Sequence, residues 1–110
     1  MNIKFTARHF RPRQSLKDHA LKEVRKLARF YDGIVSATVI LSYERATNSV
    51  KTAEINLHVY GTVLTAREKS DDYLKSIDAA VAKLTLRLGK YKTRLRGKDK
   101  SRVRLIQEKV

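Results

Sequence analysis

At the start of the chain, Ile3, Phe5 and Ala7 alternate with Lys4, Thr6 and Arg8. A two-residue period puts the apolar side chains on one face, so this segment predicts a half-buried strand. Phe10-Arg11-Pro12-Arg13 breaks the alternation, and the only proline of the chain lacks the N–H that continued pairing would need. From Ser15 the period lengthens. Leu16, Ala20, Leu21, Val24, Leu27, Ala28 and Tyr31 recur at three- and four-residue steps. That spacing predicts a helix over residues 15–31, opened near Gln14 or Ser15 and closed by Asp32-Gly33. Val35, Ala37, Val39, Leu41 and Tyr43 return to the two-residue period. After the polar stretch Glu44 to Ser49, Ala53, Ile55, Leu57 and Val59 repeat it. Gly61-Thr62 then makes a tight connection to a short last strand holding Leu64 and Ala66.

The last periodic segment is helical again, with Ile77, Val81, Leu84, Leu88 and Leu95 on one side. Ser70 or Asp71 is its expected cap, and Asp71 and Asp72 favour its positive N-terminal end. The apolar period fades after Arg94, so the helix is expected to end there. Residues 1–95 therefore read as one domain and residues 96–110 as a basic, flexible tail. The order β-α-β-β-β-α predicts an α+β fold: one antiparallel four-stranded sheet with both helices packed on a single face.

Charge changes the picture because of where it sits. The net charge is +14, but residues 34–82 hold 5 Lys/Arg against 6 Asp/Glu. Residues 1–33 hold 9 against 3, and residues 83–110 hold 11 against 2. A basic excess confined to the two flanks points to a polyanionic partner. At about 100° per residue, Arg25, Lys26 and Arg29 fall within roughly 60° of Lys22, opposite the apolar arc. By the same rotation, Arg87, Lys90 and Arg94 fall within roughly 40° of Lys83. Between Lys22 and Arg29 the only acid is Glu23, and none follows Asp78 until Asp99. Helices packed side by side would join these ridges into one surface that binds phosphates by releasing counterions.

Other chemistry has little support. His9, His19 and His58 lie in separate elements without metal-ligand spacing, so no metal and no catalytic residue is expected. Neither Gly89-Lys90 nor Gly97-Lys98 has the upstream glycine of a phosphate loop, and no cofactor motif appears. The chain has no cysteine and therefore no disulfide or thiolate site. No apolar run approaches the length of a membrane span, and Met1 to Phe5 lack a signal-peptide core, which predicts the cytoplasm. Tyr73 and Tyr91 sit at the edge of the apolar stripe and read as core; Tyr43 and Tyr60 stay open between core and base contact. Leu86 is apolar on an exposed side.

The run Asp71-x-Tyr73-x-x-x-Ile77-Asp78, with Lys83-Leu84, Leu88 and Lys90-x-Lys92, resembles the ribosome hibernation promoting factor family, protein Y and ribosome-associated inhibitor included. Ile3, Phe5, Lys26-Leu27 and Ala53-Glu54 extend the resemblance upstream, to about residues 1–95 in all. It implies a fold like a double-stranded-RNA-binding domain and a partner in the rRNA of the small ribosomal subunit. The mRNA and tRNA channel would be occluded during dormancy or stress, without catalysis and without a small-molecule substrate, by a protein monomeric off the ribosome. Lys26, Lys83, Lys90 and Lys92 are the rRNA contacts the resemblance implies; Lys22, Arg25, Arg29, Arg87 and Arg94 join on geometry. Asp72 replaces the usual methionine, and Leu86 stands where relatives have an arginine; whether the neighbouring Arg87 takes over its contact is left open by the sequence. At 110 residues the chain resembles the short form of the family. The runner-up is a general double-stranded-RNA binder, disfavoured by Asp71-Asp72 at the helix start. A nuclease would need a carboxylate cluster or histidine pair, and a peripheral membrane protein would need aromatic anchors.

Overall fold

The computed structural model describes the backbone of residues 1–44 and 47–106, and side chains for residues 1–44 and 50–94. Its elements are β1 (Asn2–Ala7), α1 (Gln14–Phe30), β2 (Ile34–Glu44), β3 (Thr47–Val59), β4 (Thr62–Ser70) and α2 (Tyr73–Ile106). The strands form one sheet in the order β1-β2-β3-β4. β2, β3 and β4 are antiparallel neighbours, as short connections demand. β1 is not: it pairs parallel to β2, so the sheet is mixed. The reason is α1, a crossover long enough to carry the chain back before β2 begins.

Register then sorts the side chains. Ile3 and Phe5 lie beside Ala37 and Val39. Ala37, Val39 and Leu41 face Leu57, Ile55 and Ala53, and Ala66 and Leu64 complete the rows. This face is buried under Ala20, Val24 and Leu27 of α1 and Ile77, Ala80, Leu84 and Leu88 of α2. α2 covers β3 and β4, while α1 lies beside α2 toward β2. Among the described residues the opposite face carries no helix, and polar side chains there bond to each other: Thr65 Oγ1 donates to Asn56 Oδ1 (2.7 Å), and Asn56 Nδ2 to Glu54 Oε2 (3.2 Å).

β3 and β4 run further than apolar alternation suggests. Lys51, Thr52 and Ala53 pair with Ser70, Lys69 and Glu68, so backbone bonds carry the ladder where side chains turn polar. Of the expected polar turn after β2, residues 45–46 lie outside the described residues. β3 and β4 are joined through Tyr60-Gly61, with Gly61 at φ 82° and Val59 paired to Thr62. That left-handed position is the one a glycine adopts without strain. Gly33 serves differently: it has no positive φ, but a Cβ there would collide with the ring of Tyr31, which folds back over it. His9, at φ 67°, turns the chain after β1; Tyr43 Oη donates to its carbonyl (3.2 Å), and the Phe10 ring stacks on Tyr73 at 5.0 Å.

The α2 cap is Asp72 rather than Ser70 or Asp71. Its Oδ1 accepts the Leu74 N–H (2.9 Å) and its carbonyl accepts the Ser76 N–H (3.0 Å). Ser70 Oγ instead accepts the Asp72 N–H (3.1 Å) and meets Ser76 Oγ at 2.7 Å. Ser76, fully buried, is satisfied by donating to the Lys51 carbonyl (2.8 Å). At its other end α2 does not stop near Arg94; the backbone stays helical to Ile106. Arg, Lys and Leu are good helix formers, and they sustain the helix after the apolar stripe has faded. Of the expected tail, residues 107–110 and the side chains of 96–106 lie outside what is described.

Two buried phenols donate to backbone: Tyr73 to the Ser42 carbonyl (3.0 Å) and Tyr91 to the Tyr60 carbonyl (2.7 Å). Burial, reinforced by Tyr43 beside Tyr73 and by Tyr31 beside Tyr91, raises both above the ordinary tyrosine range. An unfolded tyrosine ionises near pH ~10, while the folded phenols hold their protons higher. Their contribution is therefore complete below pH ~10 and lost as pH rises through the folded values. Thermal midpoints followed by circular dichroism should fall above pH ~10, and fall less in a Tyr73→Phe, Tyr91→Phe double variant. Parallel curves for the two proteins would remove these phenols as the cause.

Candidate nucleic-acid interface

The geometry of the interface follows from how α1 and α2 lie together. Near their starts, His19 Nε2 stands 2.7 Å from Asp78 Oδ1. Near the end of α1, Lys92 Nζ donates to the Phe30 carbonyl at 3.1 Å. Partners that advance together along both helices mean that the axes run parallel. With the apolar sides committed to the sheet, the cationic sides of both helices are left to solvent.

The nine sequence-predicted cations do not share one environment. Lys22, Arg25 and Arg29 on α1, and Lys90 and Arg94 on α2, are exposed. Among the described residues none of these has an ion-pair or hydrogen-bond partner. Lys26 pairs with Glu23 one turn earlier (2.9 Å). Lys83 pairs with Glu68 of β4 at 2.5 Å. Such partly exposed pairs contribute only about 0–1 kcal/mol, so a phosphate can compete with either carboxylate. Arg87 Nη1 donates to the Thr65 carbonyl, which ties its guanidinium to β4. Lys92 is half-buried between the helices, with Nζ 4.5 Å from the centre of the Phe30 ring. It neutralises the negative C-terminal end of α1. Lys92 lies nine residues after Lys83. At about 100° per residue it therefore falls roughly 180° away from that ridge, a signal the spacing already carried.

Phosphate is steered away from the start of α2. The Asp72 carboxylate takes the Leu74 N–H and places a negative charge there, and Asp71 pairs with Lys75 at 3.4 Å. The surface thus suits contact along the helix flanks rather than at their ends.

The row of cations on α2 ends at an aromatic side chain. Tyr60 is 83% exposed on the β3–β4 connection. With Thr62, Leu64, Arg87, Lys90, Tyr91 and Arg94 it borders an open cleft of about 480 Å³. Tyr73 and Tyr91 are buried, as their place on the stripe predicts, and Tyr43 meets Phe10 edge-on at 6.1 Å. Leu86 stands out at 69% exposure. Spacing along the chain could not reveal the pairing of His19 with Asp78, nor Glu68 opposite Lys83, because each joins separate elements. Among the described residues no three His, Cys, Asp or Glu side chains gather into a metal-binding group. No described helix is long and apolar enough to cross a membrane.

Known proteins share both the pattern and the fold. The ribosome hibernation promoting factor of Klebsiella oxytoca is 28% identical over 96 residues, covering 87% of this chain and 98% of that protein. The ribosome hibernation promotion factor of Staphylococcus aureus (strain COL) is 26% identical over 88 residues, or 80% of this chain; the match spans 46% of that longer protein. Among solved structures, a ribosomal subunit interface protein from Coxiella burnetii superposes with a TM-score of 0.77 at 25% identity, over 84% of this chain and 99% of that one. The Thermus thermophilus Protein Y N-terminal domain gives 0.72 at 28% identity, over 83% and 99%. Residues 3–96 also match a family model, and with the same four strands and two helices in place the chain belongs to the Sigma 54 modulation protein / S30EA ribosomal protein family.

Proposed function

We propose that this chain is a ribosome hibernation factor, which binds the small ribosomal subunit through the joined flanks of α1 and α2 and silences translation. The observation that carries this reading is the set of cations without a partner among the described residues, Lys22, Arg25, Arg29, Lys90 and Arg94, held on two parallel helices. The hibernation factors among its relatives supply the ribosome as the polyanion. The chemistry is occupancy. Cations displace condensed counterions from rRNA phosphates, and the body of the domain then fills the channel that mRNA and tRNA need. No bond is made or broken, so the role is not enzymatic, and its place is the cytoplasm, where ribosomes work. Lys26 and Lys83 join the contact by exchanging Glu23 and Glu68 for phosphate. Arg87 and Lys92 support the surface from positions already hydrogen-bonded to backbone. A general double-stranded-RNA binder is not favoured, because Asp71 and Asp72 close the helix end that would enter a groove.

If the five unpaired cations and the two exchanging lysines each meet one phosphate, log K against log salt should slope by about −5 to −6, at roughly 0.7–0.9 per contact. Arg25→Glu with Arg29→Glu should weaken co-sedimentation with purified small subunits by at least about tenfold and flatten that slope. The thermal midpoint should move little, since both side chains are exposed. Excess double-stranded RNA should leave wild-type binding in place. Loss of the bound protein to that competitor would sink the ribosomal assignment.

We place the binding domain within residues 1–95 and assign residues 96–110 a supporting electrostatic part. Removing residues 97–110 should lower small-subunit affinity a few-fold and leave the footprint on rRNA unchanged. A shifted footprint would make that segment the element that selects the site.

A further inference from the structure

We infer that the cleft between the β3–β4 connection and α2 holds one unpaired RNA base, stacked on Tyr60 with its flanking phosphates on Lys90 and Arg94. The inference rests on reading the α2 cations as phosphate contacts, and adds a mode of recognition that phosphates cannot supply.

Tyr60 combines a fixed backbone with a free ring. Its carbonyl accepts the Tyr91 hydroxyl at 2.7 Å, and the adjoining Val59–Thr62 pair and Gly61 hold the turn closed. The residue is 83% exposed, and among the described residues its ring pairs with no other aromatic ring. An aromatic side chain on a held backbone loses little freedom when a second ring stacks on it. Beneath it, Leu64 and Tyr91 give the cleft an apolar floor. Arg87, Lys90 and Arg94 make its wall, and among the described residues no carboxylate lines it. Arg87 is held against the Thr65 carbonyl, so one cation is already positioned before any ligand arrives. The volume, about 480 Å³, is in the range of sites for small organic molecules.

Apolar floor, stacking ring and cationic wall together match a nucleotide rather than a bare phosphate. In a duplex both faces of each base are covered by the stack, whereas an unpaired base offers a face. The cleft therefore selects single-stranded segments, bulges or loops. An acidic peptide could satisfy the cations but would leave the Tyr60 face unused.

The test uses the full chain and a single-stranded RNA hexamer, 2-aminopurine flanked by uridines. Wild type should quench the 2-aminopurine fluorescence, and Tyr60→Phe should behave alike. Tyr60→Ala should bind roughly tenfold more weakly, as expected for one lost stacking contact, without quenching and with an unchanged salt slope. Equal affinity and equal quenching in Tyr60→Ala would overturn the proposal. So would binding of poly-glutamate that itself depends on Tyr60, which would assign the cleft to acidic peptide. Co-sedimentation of wild type with small subunits, run in parallel, separates the two readings. Wild-type co-sedimentation with an indifferent Tyr60→Ala in the RNA assay leaves the ribosomal reading standing and removes the base site. Quenching that depends on Tyr60, with no co-sedimentation, keeps the base site and removes the ribosomal assignment.

Discussion

Everything in this molecule depends on covering one face of a four-stranded sheet. Ile77, Leu84 and Leu88 of α2 and Val24 and Leu27 of α1 are almost fully removed from water against Val39, Leu41, Ile55 and Leu57. Each such side chain contributes about 1.5–3 kcal/mol of hydrophobic stabilisation. Rotating either helix to bring other residues inward would expose several of them at once. The helices are therefore locked in azimuth, and the direction of the described cations on them is a by-product of core packing. An electrostatic surface on such a scaffold needs no dedicated structure of its own.

Packing fixes where the cations point, and acidic neighbours decide which of them are open. Glu23 and Glu68 each hold a lysine, while Asp71 and Asp72 keep the start of α2 closed to anions. Lys92 is taken up by the end of the neighbouring helix. What is left is a narrower set than the formal charge suggests, concentrated on the flanks of α1 and the later turns of α2. A partner held through it would have to run along the helices.

Much of this was legible in the chain, because burial on one side imposes a period. Ala37, Val39 and Leu41 announced a strand, and Leu16 to Tyr31 a helix, for reasons that belong to each segment alone. The direction of β1 was not legible from alternation, since Ile3 and Phe5 would face the core in either orientation. Nor were the outer ends of β3 and β4, where Lys51 and Thr52 are held to Ser70 and Lys69 by backbone pairing. The ridges were read correctly as exposed at Lys22, Arg25, Arg29, Lys90 and Arg94. Which cations were already engaged depended on Glu68, Thr65 and Phe30, residues distant in the chain. Asp72 as cap, rather than its neighbours, was decided by the local turn at Ser70 and not by residue type.

Gly33 bears on a place it never touches. Its missing side chain admits the Tyr31 ring, which meets Tyr91 edge-on at 5.7 Å, and Tyr91 in turn grips the Tyr60 carbonyl. The loop before β2 and the tip between β3 and β4 are thus coupled through two rings, like the links of a short chain. Any side chain at Gly33 would push on the first link, and the last would have to shift or let go. In a lineage of such proteins, those four positions would be constrained to drift as a group.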